Sequence, residues 1–557
     1  MLETIPKEEF FHVWNPMVNK GIQKYANEIV RGTREALKHW MTAKIPFRIE
    51  DKSIKIHPKY ISSSFWHKFV EQLKFSDGIM IGDKPIEFTK SCIRLNAQVG
   101  KDKRGSSVMY GGFDDVDYRK KPIRKQLEGN LDPLIKITAE SYMNGIAQSI
   151  RLERPTEIHL QKGNKKIIYH QEYNPRGITR GNMIKDVEEI IRELDKVPGV
   201  IRCESTIDLA GFENIFVDTI GSDIRQYKEF LEIRMKLWGV ENKKHEEFII
   251  SNGFLVSGKS RYKKKRLEIT FNEIVSDFEA RKKIATMNSG LYPVMMDGQA
   301  AAVFIHEALA AHLLSGRYIT EDISTLFKDR LGSIILPEYI SIIDDPSLKN
   351  QIGSYMYDDE GVKAKKVVLV EKGKLMDYLL DNVSAAKLMK QGIERESNGH
   401  SRSEWGTMET GGLIIPEPRI SNLLVESENL MEEPEFYDSF LKTIKDSHSK
   451  YGIIVEGGGG RVNVGEGFFA MYPRKVWRVD QRGNKKMIKN VHLTGNAEET
   501  LRSIIATGKP YSSCTGECGA DSGYVPTEQN SPSFLFPQLQ LVSEPKGNST
   551  PRILPWM

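Results

Sequence analysis

Only four cysteines occur in 557 residues, Cys92, Cys203, Cys514 and Cys518. That is too few for a secreted disulfide scaffold and fits a reducing cytoplasm. Long hydrophobic runs are also missing. No apolar stretch reaches the ~18 residues of a membrane-spanning helix, so no membrane contact is expected. The opening Met1-Leu2-Glu3-Thr4-Ile5-Pro6-Lys7-Glu8-Glu9 lacks a basic region followed by an apolar core, which argues against export. Neither sign of charge is in excess. Eighty basic against 75 acidic residues leave +5, which gives no whole-chain reason to expect nucleic acid. The basic cluster Arg261 to Arg266 reads as a solvated turn or strand end. No fixed-period repeat or low-complexity tract is present. What remains is the composition of a soluble globular protein, 39% hydrophobic and 28% charged, with a mean hydropathy of -0.42. Its length suggests about three or four domains.

The first quarter gives few clear signals. Apolar positions near helical spacing predict a helix within 15–45, and Phe65, Trp66, Phe69, Val70 and Leu73 predict an amphipathic helix over 60–73. Strand-like runs follow at Ile79-Met80-Ile81 and Ser107 to Tyr110, then a helix over about 133–150. The segment Met183 to Leu194 is the clearest helix, apolar at i, i+4, i+7, i+8 and i+11. From 198 short strands are expected at 199–205 and 214–219, with a charged strand or hairpin around 226–237. A helix over 266–290 would end at Asn288-Ser289-Gly290. Beyond it lie strand-sized runs separated by Gly, Pro, Asn and Asp, such as Leu291 to Met296, Tyr339 to Asp345, Lys366 to Val370, Tyr451 to Val455 and Gly467 to Tyr472. The expected fold is α+β: a helical N-terminal extension over 1–70, an α/β domain over 71–289, a β-rich domain over 290–545 and a loose tail over 546–557. The third is expected to be a curled antiparallel sheet, barrel-like, that carries the helix described next.

The apolar segment Phe304 to His312 holds two imidazoles and a carboxylate: His306, Glu307 and His312. Buried polar groups without partners are costly, so three on one apolar helix point to a ligand. Imidazoles can hold a zinc ion while a neighbouring Glu takes a proton from the metal's water. The spacing is awkward, because residues six apart differ by about 240° around a regular helix at about 100° per residue. A third ligand must come from elsewhere. Cys514-Thr515-Gly516-Glu517-Cys518-Gly519 is the best local candidate, since thiolates bind zinc strongly. Buried free cysteines or a redox pair fit that cysteine pair equally well. Gly457 to Gly460 permits close backbone approach or forms a flexible loop. Tyr357-Asp358-Asp359-Glu360-Gly361 is either an exposed acidic turn or part of a cleft wall. Asn398, His400 and Arg402 either bind substrate or fix a loop.

Taken in order, these motifs resemble the TldD/PmbA metallopeptidases, on the TldD side. The resemblance rests on Gly290-Leu291-Tyr292-Pro293-Val294, His306-Glu307-Ala308 with His312-Leu313-Leu314-Ser315-Gly316, and Ile343-Asp344-Asp345-Pro346 with Gly353 to Gly361. It continues through Ser397-Asn398-Gly399-His400-Ser401-Arg402, Pro416 to Asn422, Tyr451-Gly452-Ile453 with Gly457 to Asn463, and Cys518-Gly519 with Val525-Pro526. It covers about 285 to 545. It implies a cytoplasmic zinc peptidase for unfolded or short peptides, with Zn2+ on His306, His312 and Cys518 and Glu307 as general base. Gly458, Gly459 and Gly460 would hold an extended peptide by strand addition, and Asn398 and Arg402 would contact substrate. His400 has no counterpart among the family's ligands, and Cys514 has none at all. A dimer is implied, either of this chain or with a PmbA-like subunit lacking the metal motif. The alternative is a non-catalytic peptide- or partner-binding subunit with a broken metal site. This chain has four residues between Glu307 and His312 where the family pattern has three. An inserted residue is commonly absorbed as a π-bulge, so the helix is expected to be bulged or widened there.

Overall fold

The computed structural model describes residues 22–41, 45–49, 52–56, 58–77, 79–80, 86–101, 105–114, short stretches within 124–140, 166–171, 180–241, 246–257, 262–281, 284–404 and 415–543. The expected tail lies outside them, as do residues 15–21 and 141–150 of the expected helices.

The N-terminal part is organised by long strands. Helix α1 (Ile22–Met41) and a hairpin of Ile45–Ile49 with Lys52–Ile56 come first. Then follow β1 (Pro58–Ser76), β2 (Ile86–Lys101), β3 (Gly105–Asp114), α2 (Arg180–Asp195), β4 (Val200–Asp218), β5 (Asp223–Glu241), β6 (Glu246–Val256) and α3 (Lys264–Arg281). The sheet order is β6-β5-β4-β1-β2-β3, antiparallel throughout this path. The helix expected over 60–73 is therefore part of β1. Its apolar residues Ile61, Phe65, Phe69 and Leu73 recur every four positions, a spacing that fits both a helical stripe and one face of a strand. The alternation of buried Leu73 and Phe75 with exposed Lys74 is the strand's period of two. The boundary expected at 70 falls inside this continuous strand. The two short strands expected at 199–205 and 214–219 are one, β4. The basic cluster opens α3 at Lys264 instead of lying in a turn, and Lys264 bonds Glu189 of α2 at 2.7 Å. Helix α3 ends at Arg281, well before the expected cap at 288–290. Helix α2 presents Met183, Val187, Ile190, Ile191 and Leu194 to the sheet, as its pattern predicts.

The C-terminal part begins with β7 (Gly290–Met296) and α4 (Gly298–Ile305). Its further strands are β8 (Ile340–Asp344), β9 (Val367–Glu371), β10 (Asn422–Ser427), β11 (Tyr451–Glu456), β12 (Gly459–Asn463), β13 (Phe468–Tyr472), β14 (Lys475–Asp480), β15 (Lys485–Ile488), β16 (Val491–Asn496), β17 (Ala506–Ala520) and β18 (Gly523–Ser543). They belong to one sheet whose main path is β9-β8-β10-β18-β7-β11-β14-β15. The long β18 is its hub, pairing also with β16 and β17. The pairs β7–β11 and β10–β18 are parallel. Among the described residues no pairing joins the two ends of this path, so the expected curled antiparallel, barrel-like sheet is corrected to an open, mixed one. Parallel pairs require long crossovers, and the metal-motif helix lies in one of them.

Helix α4 is buried along its length and reads GQAAAVFI. Its small residues let it pass close to the hub strand: a Cβ at Gly298 would lie 2.5 Å from the Ser531 carbonyl. Phe304 stacks edge-on with Phe469 and Phe536 at 5.2 and 5.5 Å. Burying such a ring stabilises by about 1.5–3 kcal/mol. The two parts touch where the Gln226 amide of β5 accepts from Met356 N and Tyr357 N at 3.0 Å and donates to Tyr357 O at 2.9 Å. No helix among the described residues is long and apolar enough to cross a membrane.

Candidate metal centre

Asp297 caps α4, accepting from Ala300 N at 2.7 Å, and its carboxylate also accepts from Gly457 N at 3.0 Å. One side chain thus fixes both the start of the helix and the turn that launches β12. After Ile305 the helix widens. His306–Ala310 is a π-helix, closed by Ala311 N to His306 O at 3.0 Å and continued by Leu314 N to Leu309 O at 3.1 Å, both i to i+5. This is where a bulge was expected. Each such bond places an extra residue in the turn, and the wider turn swings His312 back to the side of His306. The two rings lie 6.1 Å apart between centroids.

The third group arrives on the β17–β18 hairpin. Cys518 is paired with Val525 and Cys514 with Gln529. Strand side chains alternate between faces, so Cys514, Cys518, Val525, Thr527 and Gln529 share one face. The donor atoms of His306, His312 and Cys518 all lie within 4.8 Å of one another. Arg419, 1% exposed, donates to the Cys518 carbonyl, to Ser522 Oγ at 2.6 Å and to Gly523 O at 3.0 Å, and so pins the ligand end of the hairpin.

Burial would push the Cys518 thiol up. The Arg419 guanidinium and the two imidazoles outweigh it and hold the thiol well below its ordinary value. Burial pulls the His306 imidazole down, but the Cys518 and Glu307 charges more than offset it. Glu307 is raised by burial, against the pull of both histidines. Its carboxylate is 3.9 Å from His312 Nε2. Two imidazoles and a thiolate with a low pKa, all turned to one point, are the donors a zinc ion takes, and they leave its fourth tetrahedral position open. The residues fit the metal.

Gly460 passes directly over Glu307. A Cβ there would lie 2.7 Å from Glu307 Cγ, so only glycine permits this approach. Gly458 has φ +121°, a turn geometry open to glycine, and Gly459 pairs with Tyr472. Asn398 and Arg402 are held by backbone groups. The Asn398 side chain accepts from Leu380 N and donates to Tyr378 O, both at 2.8 Å. Arg402 donates to Ile420 O and, at 2.8 Å, to Pro526 O, with its guanidinium 5.1 Å from the Tyr355 ring centroid. These bonds hold the loops that carry the two residues. His400 is fully buried between Asp344, 2.9 Å from Nε2, and Asn398. The 357–361 segment is no exposed turn: Asp358 and Glu360 are buried and accept backbone N–H bonds.

Cys514 lies four residues from Cys518 along one strand, about 13 Å at 3.3 Å per residue. A disulfide needs Cα atoms within about 7 Å, so the redox pairing is excluded. Burial pushes the Cys514 thiol up to about 12. A second donor cluster, Asp77, Asp195 and Cys203, is committed to structure, since Asp77 Oδ1 accepts from Cys203 N at 2.9 Å. Asp297, Arg419 and Gln529 escaped the sequence reading. Asp297 left a signal, a helix N-cap residue three positions before a run of alanines, and Arg419 lies in the Pro416 to Asn422 motif.

The fold and this site together define a mixed α+β chain with a buried His-His-Cys centre beside a carboxylate. Residues 289–543 match the PmbA/TldA metallopeptidase C-terminal domain, so this part of the chain is similar to the TldD/PmbA family. A metalloprotease of Methanocaldococcus jannaschii is 31% identical over 238 residues, 42% of this chain and 48% of its own length. The match thus spans about half of that relative. A metalloprotease of Archaeoglobus fulgidus is 29% identical over 358 residues, 63% of this chain and 75% of its own. Among solved structures, TldE from Thermococcus kodakarensis superposes with a TM-score of 0.60 at 15% identity, over 87% of this chain and 97% of that one. That likeness concerns the fold.

Proposed function

We propose that the chain is a zinc-dependent peptidase acting on unfolded or short peptides. The observation that carries the reading is the convergence of His306, His312 and Cys518 within 4.8 Å across a widened helix, with Glu307 alongside. Bound zinc supplies an activated water and a Lewis acid for the scissile carbonyl. Glu307 would take the proton from that water. A carboxyl raised by burial is a stronger base than an exposed one, which suits it to the task near neutral pH. Strand β12 pairs with β13 along one edge only among the described residues. Its other edge offers backbone donors and acceptors to an extended peptide, and Gly460 brings that edge against Glu307. An unfolded or short peptide can lie extended along that edge without first unfolding, which supports such peptides as substrates.

The rival reading, a binding subunit with a broken centre, loses its main ground because the extra residue is absorbed by the π-helix. The family resemblance further supports a dimer, with a second copy or a PmbA-like subunit, which sedimentation of the chain alone and mixed with such a subunit would test. The deciding experiment measures zinc content and hydrolysis of an unstructured peptide for wild type and Glu307→Gln. About one zinc per chain in both, with activity in the first alone, is expected. Zinc-free wild-type protein purified without chelators, or equal hydrolysis by both, would overturn the proposal.

A further inference from the structure

His306 is held from behind. Its Nδ1 lies 3.0 Å from the amide nitrogen of Gln529, and the same nitrogen donates to Thr527 Oγ1 at 2.7 Å. Gln529 is 3% exposed and Thr527 fully buried, so water cannot replace either contact. In this orientation the amide donates and Nδ1 accepts, which leaves the proton of the neutral ring on Nε2. The Thr527 hydroxyl meanwhile donates to Gly516 O at 3.4 Å.

A metal on Nε2 needs that lone pair. The ring proton must then sit on Nδ1, where it faces an amide N–H that cannot accept it. Rotating the Gln529 amide by 180° resolves the conflict. Oε1 then occupies the present position of the nitrogen and accepts from Nδ1–H. The Thr527 hydroxyl, able to donate as well as accept, turns from Gly516 O to the same Oε1. The proton lost from Nε2 is matched by one gained at Nδ1, so the ring stays neutral. Each arrangement satisfies Nδ1 and keeps the amide bonded to Thr527, and one amide rotation separates them.

Resting on the metal-centre reading above, we infer that Gln529, backed by Thr527, is a positioning residue that fixes the His306 tautomer and so sets metal affinity, its amide reversed between the free and loaded chain. Partners behind a histidine ligand typically change metal affinity 10–100-fold when removed. The test is zinc affinity by chelator competition in the full chain, for wild type, Gln529→Met, Gln529→Glu and Thr527→Val, with thermal melting of each metal-free form. Gln529→Met keeps length but loses the acceptor, and about a 10–100-fold weaker affinity is expected, with little change in metal-free melting. Gln529→Glu always offers an acceptor to Nδ1–H, so it should bind within a few-fold of wild type. Thr527→Val should fall between Gln529→Met and wild type, and it carries the test if Gln529→Met does not fold. Wild-type affinity in Gln529→Met, or a Gln529→Glu variant as weak as Gln529→Met, would overturn the role of Gln529. A wild type that takes up no zinc would instead overturn the metal centre itself.

Discussion

The two sheets of this chain are built to different rules. In the N-terminal sheet β4 and β5 each run for 19 residues and the strands pair in near-sequential antiparallel order. In the C-terminal sheet most strands are five or six residues long and order is scrambled around one hub strand. Buried charged and polar residues gather there, among them His306, Glu307, Asp344, Asp358, His400, Arg402 and Arg419. Buried polar groups persist only where partners satisfy them. Two crossings of chain, α4 with its π-helix and the β17–β18 hairpin, bring His306, Glu307, His312 and Cys518 to one point. The contrast suggests that chemistry is confined to the second part, while the first supplies a long sheet and a contact through Gln226.

Variants can break that division. The largest effect is expected from Cys518→Ser or His306→Ala, which should weaken zinc binding severely without preventing loading in excess zinc, and lower peptide hydrolysis by at least ~10³-fold. Circular dichroism should show the N-terminal sheet unchanged. Glu307→Gln should keep the metal and lower kcat by about 10²–10⁴-fold, the usual worth of a general base. Gly460→Ala forces a methyl against Glu307 and should cost about 10²-fold in kcat/KM, as a misplacement near 1 Å does, with zinc content unchanged.

The smallest effect probes the other sheet. Glu232, in β5, is pushed up to about 7, first by burial and also by Asp208, against the pull of Arg234. Folding therefore favours its neutral form. That contribution is fully present below the unfolded value of 4.5 and is lost as pH rises towards 7. Glu232→Gln removes the cost and should raise the melting temperature at pH 8 but not at pH 4, with peptide hydrolysis unaffected. An activity loss there would blur the proposed division.

What was legible follows the same line. His306, Glu307, His312 and Cys518 could be read because metal chemistry restricts residue type, and the extra residue before His312 led directly to the π-helix. The 60–73 strand was misread because its four-residue apolar spacing belongs to both periods, and only pairing with β2 and β4 selects the strand. Gln529 could not be found, because its role comes from a register across a hairpin that joins it to Cys514 and points it at a helix 223 residues earlier. In sequence Asn398 and Arg402 fit substrate contacts and loop anchors alike. Their roles are set by backbone groups that only the folded loops bring near.

The most direct test of the whole account is the zinc K-edge absorption spectrum of the loaded chain. Two nitrogen neighbours at about 2.0–2.1 Å and one sulfur at about 2.3 Å are predicted, with the sulfur shell lost in Cys518→Ser but kept in Cys514→Ser. A first shell without sulfur in the wild type, or one unchanged by Cys518→Ser, would contradict it.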